Sequence, residues 1–231
     1  MENNNENINN DNTNQDESNI NQDSKSEFSF KVVFAGNSMV GKTSIINYEL
    51  KNEFSENYKS TLEFENQWKN YEIKNKIIRL FIWDTCGEQT YETVLHSFFK
   101  SALCIFLVFS LDSEDSFKDL DKYISMIKAF QEKPIVLLIG NKFDINEKKI
   151  PDNDIKNFCS ENNIEFFFET SAKNGKNIHE LFDTAAKQLY LRFVEPIIFD
   201  CESNISRDSF NLTNLNRDYS MCGTKSCCII A

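Results

Sequence analysis

The chain lacks several features that mark other classes of protein. Its 231 residues contain no apolar run near the ~20 residues that a membrane-spanning helix needs. Its seven cysteines form no CxxC pair and its two histidines lie far from them, which disfavours zinc. The formal net charge is −11, so no basic surface for a nucleic-acid partner is expected. The composition predicts a cytosolic chain with one folded domain.

Both ends of the chain are polar. Residues 1–27 hold seven acids and one lysine, a net charge of 1 − 7 = −6, and few apolar side chains. Such a stretch cannot bury enough apolar surface to offset its ordering entropy, so we predict a disordered, Asn-rich acidic tail. It also lacks the charged start and apolar centre of a signal peptide. Helical periodicity is lost after Phe193, and we predict a flexible tail over residues 194–231.

Between the tails, short apolar runs alternate with amphipathic stretches. The predicted strands are residues 30–35, 79–83, 102–109, 134–140 and 164–170. The predicted helices are residues 43–50, 116–130, 152–163 and 177–193. This alternation predicts an α/β fold with a parallel sheet covered on both faces. Ligands of such folds bind at the carboxyl ends of the strands.

The first motif, GNSMVGKT, lies between a predicted strand and a predicted helix and matches G-x-x-x-x-G-K-[ST]. Backbone N–H groups of such a loop surround a phosphate, and the following helix terminus adds partial positive charge. Lys42 would reach the β- and γ-phosphates, and the Thr43 hydroxyl would bind Mg²⁺. The candidate nucleotide-binding residues here are Gly36, Asn37, Ser38, Met39, Val40, Gly41, Lys42, Thr43 and Ser44.

Three further motifs each follow a predicted strand. Asp84 ends one apolar run, where a carboxylate can hold Mg²⁺ through water. In NKFD, Asp144 can accept two hydrogen bonds from guanine N1–H and its 2-amino group, which adenine does not offer in that arrangement. The aliphatic stem of Lys142 would lie along the purine, and a backbone N–H near Ala172 in ETSAK would donate to guanine O6. The candidate base-binding residues are Asn141, Lys142, Asp144, Ser171, Ala172 and Lys173.

Together these motifs resemble those of the Ras superfamily of small GTPases over about residues 28–193. The resemblance implies a P-loop NTPase fold, with a six-stranded, mostly parallel sheet and about five helices. It implies binding of GTP or GDP with Mg²⁺ and slow hydrolysis of GTP. It also implies two switch segments whose conformations differ between the GTP and GDP states.

The resemblance assigns roles to residues between the motifs. Phe54 stands where the family packs an aromatic ring against guanine, and Tyr58 where a tyrosine covers the phosphates. Thr61 stands where the switch I threonine contacts Mg²⁺ and the γ-phosphate, so its loop would sense the nucleotide state. The implied metal ligands are Thr43, Thr61 and Asp84.

The second switch departs from the family pattern. Where the family has Gly-Gln-Glu, this chain has Gly87-Glu88-Gln89, and the missing glutamine is the residue that orients the attacking water. Glu88 could orient the water or repel the γ-phosphate, and Gln89 lies one position late. Met39 also replaces a glycine that is common in the Rab phosphate loop. The implied catalytic residues are Lys42, Thr61, Glu88 and Gln89.

Residues 82–102 and the chain end are most similar to the Rab branch. Rab proteins often carry geranylgeranyl groups on two C-terminal cysteines, and CCIIA places Cys227 and Cys228 there. The same letters also match a C-a-a-X signal on Cys228 that suggests farnesyl. One lipid binds membranes only marginally and the tail has no basic patch, which favours two lipids.

A Rab-like chain would cycle between cytosol and the cytoplasmic face of intracellular membranes. The implied partners are an exchange factor, a GTPase-activating protein, a prenyl-binding escort or dissociation inhibitor, and effectors on switches I and II. Asn66 stands where an effector-facing aromatic is usual, so no known effector is transferred.

Three alternatives stay open or are disfavoured by particular residues. A hydrolysis-deficient GTP-binding scaffold and a Ras- or Rho-type signalling GTPase share the same motifs. A metabolic P-loop kinase is disfavoured, because it needs neither NKFD nor ETSAK. A kinase lid also needs arginines, and the chain has only Arg79, Arg192, Arg207 and Arg217.

Overall fold

The computed structural model describes residues 27–56, 65–85, 92–130 and 133–199. One six-stranded sheet runs through these residues in the order β2-β3-β1-β4-β5-β6. Strand β2 pairs antiparallel with β3, and every other pairing is parallel. The predicted mostly parallel sheet is confirmed. The strands are β1 (Glu27–Ala35), β2 (Glu65–Ile73), β3 (Lys76–Asp84), β4 (Cys104–Ser110), β5 (Ile135–Asn141) and β6 (Phe166–Glu169).

Six α-helices lie between or after the strands in the described part of the chain. They are α1 (Lys42–Lys51), α2 (Glu92–Phe99), α3 (Glu114–Lys118), α4 (Leu120–Lys128), α5 (Asp152–Asn162) and α6 (Ile178–Leu189). Helices α3 and α4 occupy the one stretch whose periodicity predicts a single helix, and they are divided at Asp119. A π-helical turn, Tyr190–Val194, continues α6. None of the described helices is long and apolar enough to cross a membrane.

The central strands are apolar because both of their faces are covered. Every residue of β4 is buried, and helices pack against the sheet from two sides. On one side Phe182 of α6 packs edge-on against Phe106, with ring centroids 5.1 Å apart. On the other side Phe117 of α3 packs against Phe109, at 5.0 Å. Cys104 is a small core residue as predicted, and burial raises the pKa of its thiol.

Helix α2 was not among the predicted helices, and two further regions differ from the periodicity-based expectations. Strand β2 was not predicted, because it lies at the edge of the sheet and its sequence, ENQWKNYEI, is mostly polar, with Trp68 57% exposed. The predicted boundary at residue 193 falls within a helical segment. Val194 is fully buried, and residues 195–199 stay helical beside an ion pair between Lys74 and Glu195.

Candidate functional site

The carboxyl ends of four parallel strands bring the sequence motifs to one edge of the sheet. The GNSMVGKT loop follows β1, Asp84 ends β3, NKFD begins at the end of β5, and ETSAK begins at the end of β6. Hydrogen bonds join them directly. Asn141 Nδ2 donates to Val40 O of the loop at 2.9 Å, and Thr43 Oγ1 donates to Asp84 Oδ2 at 2.5 Å. The motifs therefore form one continuous site.

Two glycines in the phosphate loop, residues 36–43, are required by close approach of other atoms. Gly36 has a φ of 139°, and a Cβ there would lie 2.0 Å from the backbone oxygen of Val108. Gly41 has a φ of 97°, and a Cβ there would lie 2.3 Å from Asn141 Nδ2. Met39 also has a positive φ, 63°, and its side chain is 63% exposed at the rim of the loop. A glycine at that position would relieve backbone strain.

The side chain of Lys42 lies inside the phosphate loop. It is 5% exposed, and its ammonium donates to Gly36 O at 2.9 Å and Asn37 O at 2.8 Å. The loop carbonyls therefore hold a buried positive charge in place. An anion beside this ammonium would gain charge-assisted hydrogen bonds in a setting of low dielectric constant.

Beside the loop, two oxygen ligands suit a magnesium ion. Thr43 lies in the first turn of α1, and its hydroxyl lies against the carboxylate of Asp84, which is 4% exposed. Mg²⁺ prefers hard oxygen ligands and is held by one or two protein groups together with substrate phosphates. The described residues contain no cluster of three or more His, Cys, Asp or Glu side chains that could hold a metal alone. The oxygen pair of Thr43 and Asp84 fits a Mg²⁺ site that the phosphates of a nucleotide would complete.

On the other side of the loop, polar groups form a cluster around Asn141. Its Oδ1 accepts from Thr170 Oγ1 at 3.2 Å and from the backbone N–H of Ala172 at 3.3 Å. Asp144 Oδ1 accepts from the fully buried Ser171 hydroxyl at 2.5 Å. Asp144 is therefore oriented by Ser171, whereas the Ala172 amide that was predicted to donate to a base is engaged by Asn141 through a long hydrogen bond.

Two lysines near the predicted base site are held by acids. Lys142 has a φ of 65°, and its Nζ lies 3.6 Å from Asp112 Oδ1. Burial opposes ionisation of Asp112, but the Ser110 hydroxyl and Lys142 outweigh it and lower its pKa. Lys173 pairs with Glu56 at 2.9 Å, and this hydrogen bond lowers the pKa of Glu56. The Lys173–Glu56 pair joins ETSAK to the segment that contains Phe54, which is 39% exposed.

Some of the predicted site residues lie outside the described part of the chain, and their roles stay predictions. They are Tyr58 and Thr61 of switch I, Gly87, Glu88 and Gln89 of switch II, and the terminal cysteines Cys227 and Cys228.

Two residues that the motifs did not indicate also reach the phosphate loop. Asn37 Nδ2 donates to Asp119 Oδ2 at 2.6 Å, and Tyr123 donates from its hydroxyl to Asn37 Oδ1 at 3.2 Å. Both partners lie at the start of α4, more than 80 residues from the loop in sequence. In the sequence these residues are polar positions within an amphipathic stretch, and that pattern does not indicate which residue each one contacts.

Comparisons with known proteins agree with this geometry. The Ras family model matches residues 31–191 of the chain. The Ras-related protein RABA4b of Arabidopsis thaliana is 34% identical over 72% of this chain and 75% of its own length. The Ras-related protein Rab-11C of Dictyostelium discoideum is 30% identical over 79% and 83%, and the Ypt/Rab-type GTPase ypt7 of Schizosaccharomyces pombe is 32% identical over 78% and 95%. The chain therefore belongs to the Ras family and is a Rab-like small GTPase.

Proposed function

We propose that the chain is a GTP/GDP-regulated switch that acts on the cytoplasmic face of intracellular membranes, in vesicle traffic. The proposal depends on one observation, which is that Asn141 joins the phosphate loop to the base-binding motif ETSAK. Asn141 Nδ2 bonds to Val40 O of the phosphate loop, while its Oδ1 contacts the ETSAK segment. A single ligand with a guanine base and phosphates would span the phosphate loop and ETSAK. The Rab and Ypt names of the relatives favour traffic over Ras- or Rho-type signalling.

The described residues of the site each have a proposed task in nucleotide binding. Lys42 and the loop amides bind phosphate oxygens, and Asp144, oriented by Ser171, accepts from the base. Thr43 and Asp84 would hold Mg²⁺, which would neutralise phosphate charge. Hydrolysis adds water to the γ-phosphorus and breaks its bond to the bridging oxygen, which yields GDP and phosphate. Gln89 and Thr61 are proposed to orient that water, and Glu88 stands at the position of the family's water-orienting glutamine.

A single-turnover assay tests the proposal and separates it from a hydrolysis-deficient scaffold. Nucleotide released from the purified full chain is identified first, and GTP cleavage with Mg²⁺ is then followed in wild type and Glu88→Gln. We expect bound guanine nucleotide and slow cleavage. Glu88→Gln should speed cleavage about tenfold or more, because a neutral amide does not repel the γ-phosphate and a positioned group contributes on this scale. Gln89→Ala tests the neighbouring position, and slower cleavage in this variant would assign the orientation of the water to Gln89.

Three results of this assay have different meanings. Stable bound GTP with no cleavage in wild type would support the scaffold alternative. Slower cleavage in Glu88→Gln would mean that Glu88 itself assists the water. Bound adenine nucleotide, or none, would contradict the proposed function altogether.

Membrane attachment is proposed to depend on prenyl groups on Cys227 and Cys228. Serine at both positions is expected to move the protein from the membrane fraction to the soluble fraction, because two lipid chains supply the binding energy that one chain lacks. Fractionation of cells that express each variant measures this effect, and the single Cys227→Ser and Cys228→Ser variants count the lipids. A double variant that stays on membranes would show that another signal attaches it.

The remaining proposed partners follow from such a cycle. An exchange factor would release GDP, and a GTPase-activating protein would have to work with Glu88. A prenyl-binding escort or dissociation inhibitor would carry the lipidated chain through the cytosol. Effectors would bind switches I and II in the GTP state.

A further inference from the structure

Both polar atoms of the side-chain amide of Asn37, the second residue of the phosphate loop, form hydrogen bonds. Asn37 Nδ2 donates to Asp119 Oδ2 at 2.6 Å, and Asn37 Oδ1 accepts from the Tyr123 hydroxyl at 3.2 Å. Because one partner is a carboxylate, the first bond is charge-assisted and of the stronger kind. An amide held at both its donor and its acceptor has its plane and position defined.

The partners of Asn37 stand on a rigid support. Asp119 lies at the junction of α3 and α4, where its own backbone N–H donates to Asp115 O at 3.0 Å. Tyr123 is 4% exposed, and α4 packs into the core through Leu120 and Ile124. Lys122 Nζ lies 3.8 Å from Asp119 Oδ2 on the solvent side. The anchoring groups therefore cannot easily follow a displaced loop.

Asn37 also contacts Lys42, the lysine that is proposed to bind phosphate. The backbone oxygen of Asn37 accepts from Lys42 Nζ at 2.8 Å. A movement of Asn37 therefore changes the position of the carbonyl that orients the Lys42 ammonium. Through these three contacts, α4 is mechanically connected to the phosphate-binding charge.

We propose that Asn37, Asp119 and Tyr123 form a loop clamp, a set of positioning residues that determines how slowly bound guanine nucleotide leaves. The inference rests on the proposed function, because the clamp acts on the same phosphate site. The clamp places its negative charge on α4 and its neutral amide in the phosphate loop.

Exchange of the two clamp groups separates the clamp from a general effect on folding. Asn37→Asp places two carboxylates in contact and breaks the bond by repulsion. The double variant Asn37→Asp with Asp119→Asn restores a carboxylate–amide pair in reverse. Both variants carry the same new charge in the loop, and the single variant Asp119→Asn completes the double-mutant cycle that isolates the contact.

The test uses the full chain loaded with a fluorescent GDP in the presence of Mg²⁺, and it follows release after addition of excess unlabelled GDP. We expect release about tenfold faster in Asn37→Asp and Asp119→Ala, which is the scale of one hydrogen bond with a charged partner. The double variant should return to within about threefold of wild type, and Tyr123→Phe should be about threefold faster. Asp121→Asn removes one charge from the exposed side of α4 and should release GDP at the wild-type rate.

Each result decides for or against the clamp. A double variant that releases GDP as fast as Asn37→Asp overturns it, and so does wild-type release from Asp119→Ala. If Asn37→Asp does not fold, as judged by circular dichroism, Asp119→Ala and Tyr123→Phe still decide the question. A wild-type chain that binds no GDP contradicts the proposed function instead, and that result is visible before any variant is compared.

Discussion

Replacement of Lys42 by alanine is expected to weaken GDP binding by about 100-fold or more, because several charge-assisted contacts depend on this single ammonium. The group is 5% exposed and is held by the carbonyl oxygens of Gly36 and Asn37. In the low-dielectric interior of the loop its attraction for phosphate is screened far less than at a surface. An equilibrium titration with fluorescent GDP measures the loss.

A matched variant separates this effect from a loss of net positive charge. Lys118 lies on α3 with its side chain 68% exposed, and it pairs with Glu114 on the same helix. Lys118→Ala removes the same charge and should change GDP affinity less than about twofold, because exposed ion pairs contribute little. Equal affinities of Lys42→Ala and Lys118→Ala for GDP would contradict the role assigned to the phosphate loop.

The Lys42 contacts also illustrate which parts of the site a sequence can predict. The loop, Asp84, NKFD and ETSAK are local patterns that follow apolar strands, and a parallel sheet brings the ends of those strands together. The apolar runs of β4 and β5 predict buried strands for the same reason, because both faces of the central sheet are covered. Local sequence patterns and the layered architecture therefore suffice to predict the motifs of the site and the buried central strands.

Long-range pairing of polar groups could not be predicted. Glu49 on α1 has a side chain 1% exposed, and it receives bonds from Lys69 and Tyr71 of β2 and contacts His179 of α6. In sequence Glu49 is one acid among the polar residues of a helix, and only the fold shows that it is buried. Burial and the neighbouring Glu49 raise the pKa of Tyr71, so its phenol stays a donor.

Strand β2 escaped prediction for a related reason. Its outward residues Asn66 and Trp68 face solvent while Tyr71 is buried against the core, so no continuous apolar run marks it. Antiparallel pairing with β3 is what defines the strand, and that pairing depends on the turn at Lys74 and Asn75, both of which have positive φ. The contact of Asn37 with Asp119 likewise depends on how α4 lies against the sheet.

Replacement of Asp144 by asparagine is expected to reverse the choice of base without loss of the fold. The change is nearly isosteric, and the new amide oxygen can still accept from the Ser171 hydroxyl that now donates to Asp144 Oδ1. Its NH₂ group, however, would face the 2-amino group of guanine, donor against donor. With two charge-assisted bonds lost, GDP affinity should fall by about 100-fold or more.

The same substitution should improve binding of xanthosine diphosphate, whose 2-oxo group accepts where guanine donates. Competition between GDP and xanthosine diphosphate, measured in wild type and Asp144→Asn, gives the shift in preference directly. Asp154→Asn, on the exposed first turn of α5, removes an equal charge away from the site and should leave the preference unchanged. If Asp144→Asn keeps the wild-type ratio, the carboxylate does not bind the base, and a strand-end cluster at Asn141 would have to select the nucleotide without it. A reversed ratio with an unchanged far-ultraviolet spectrum would assign base selection to Asp144 itself, because the substitution exchanges one acceptor for one donor and Asp154→Asn controls for the lost charge.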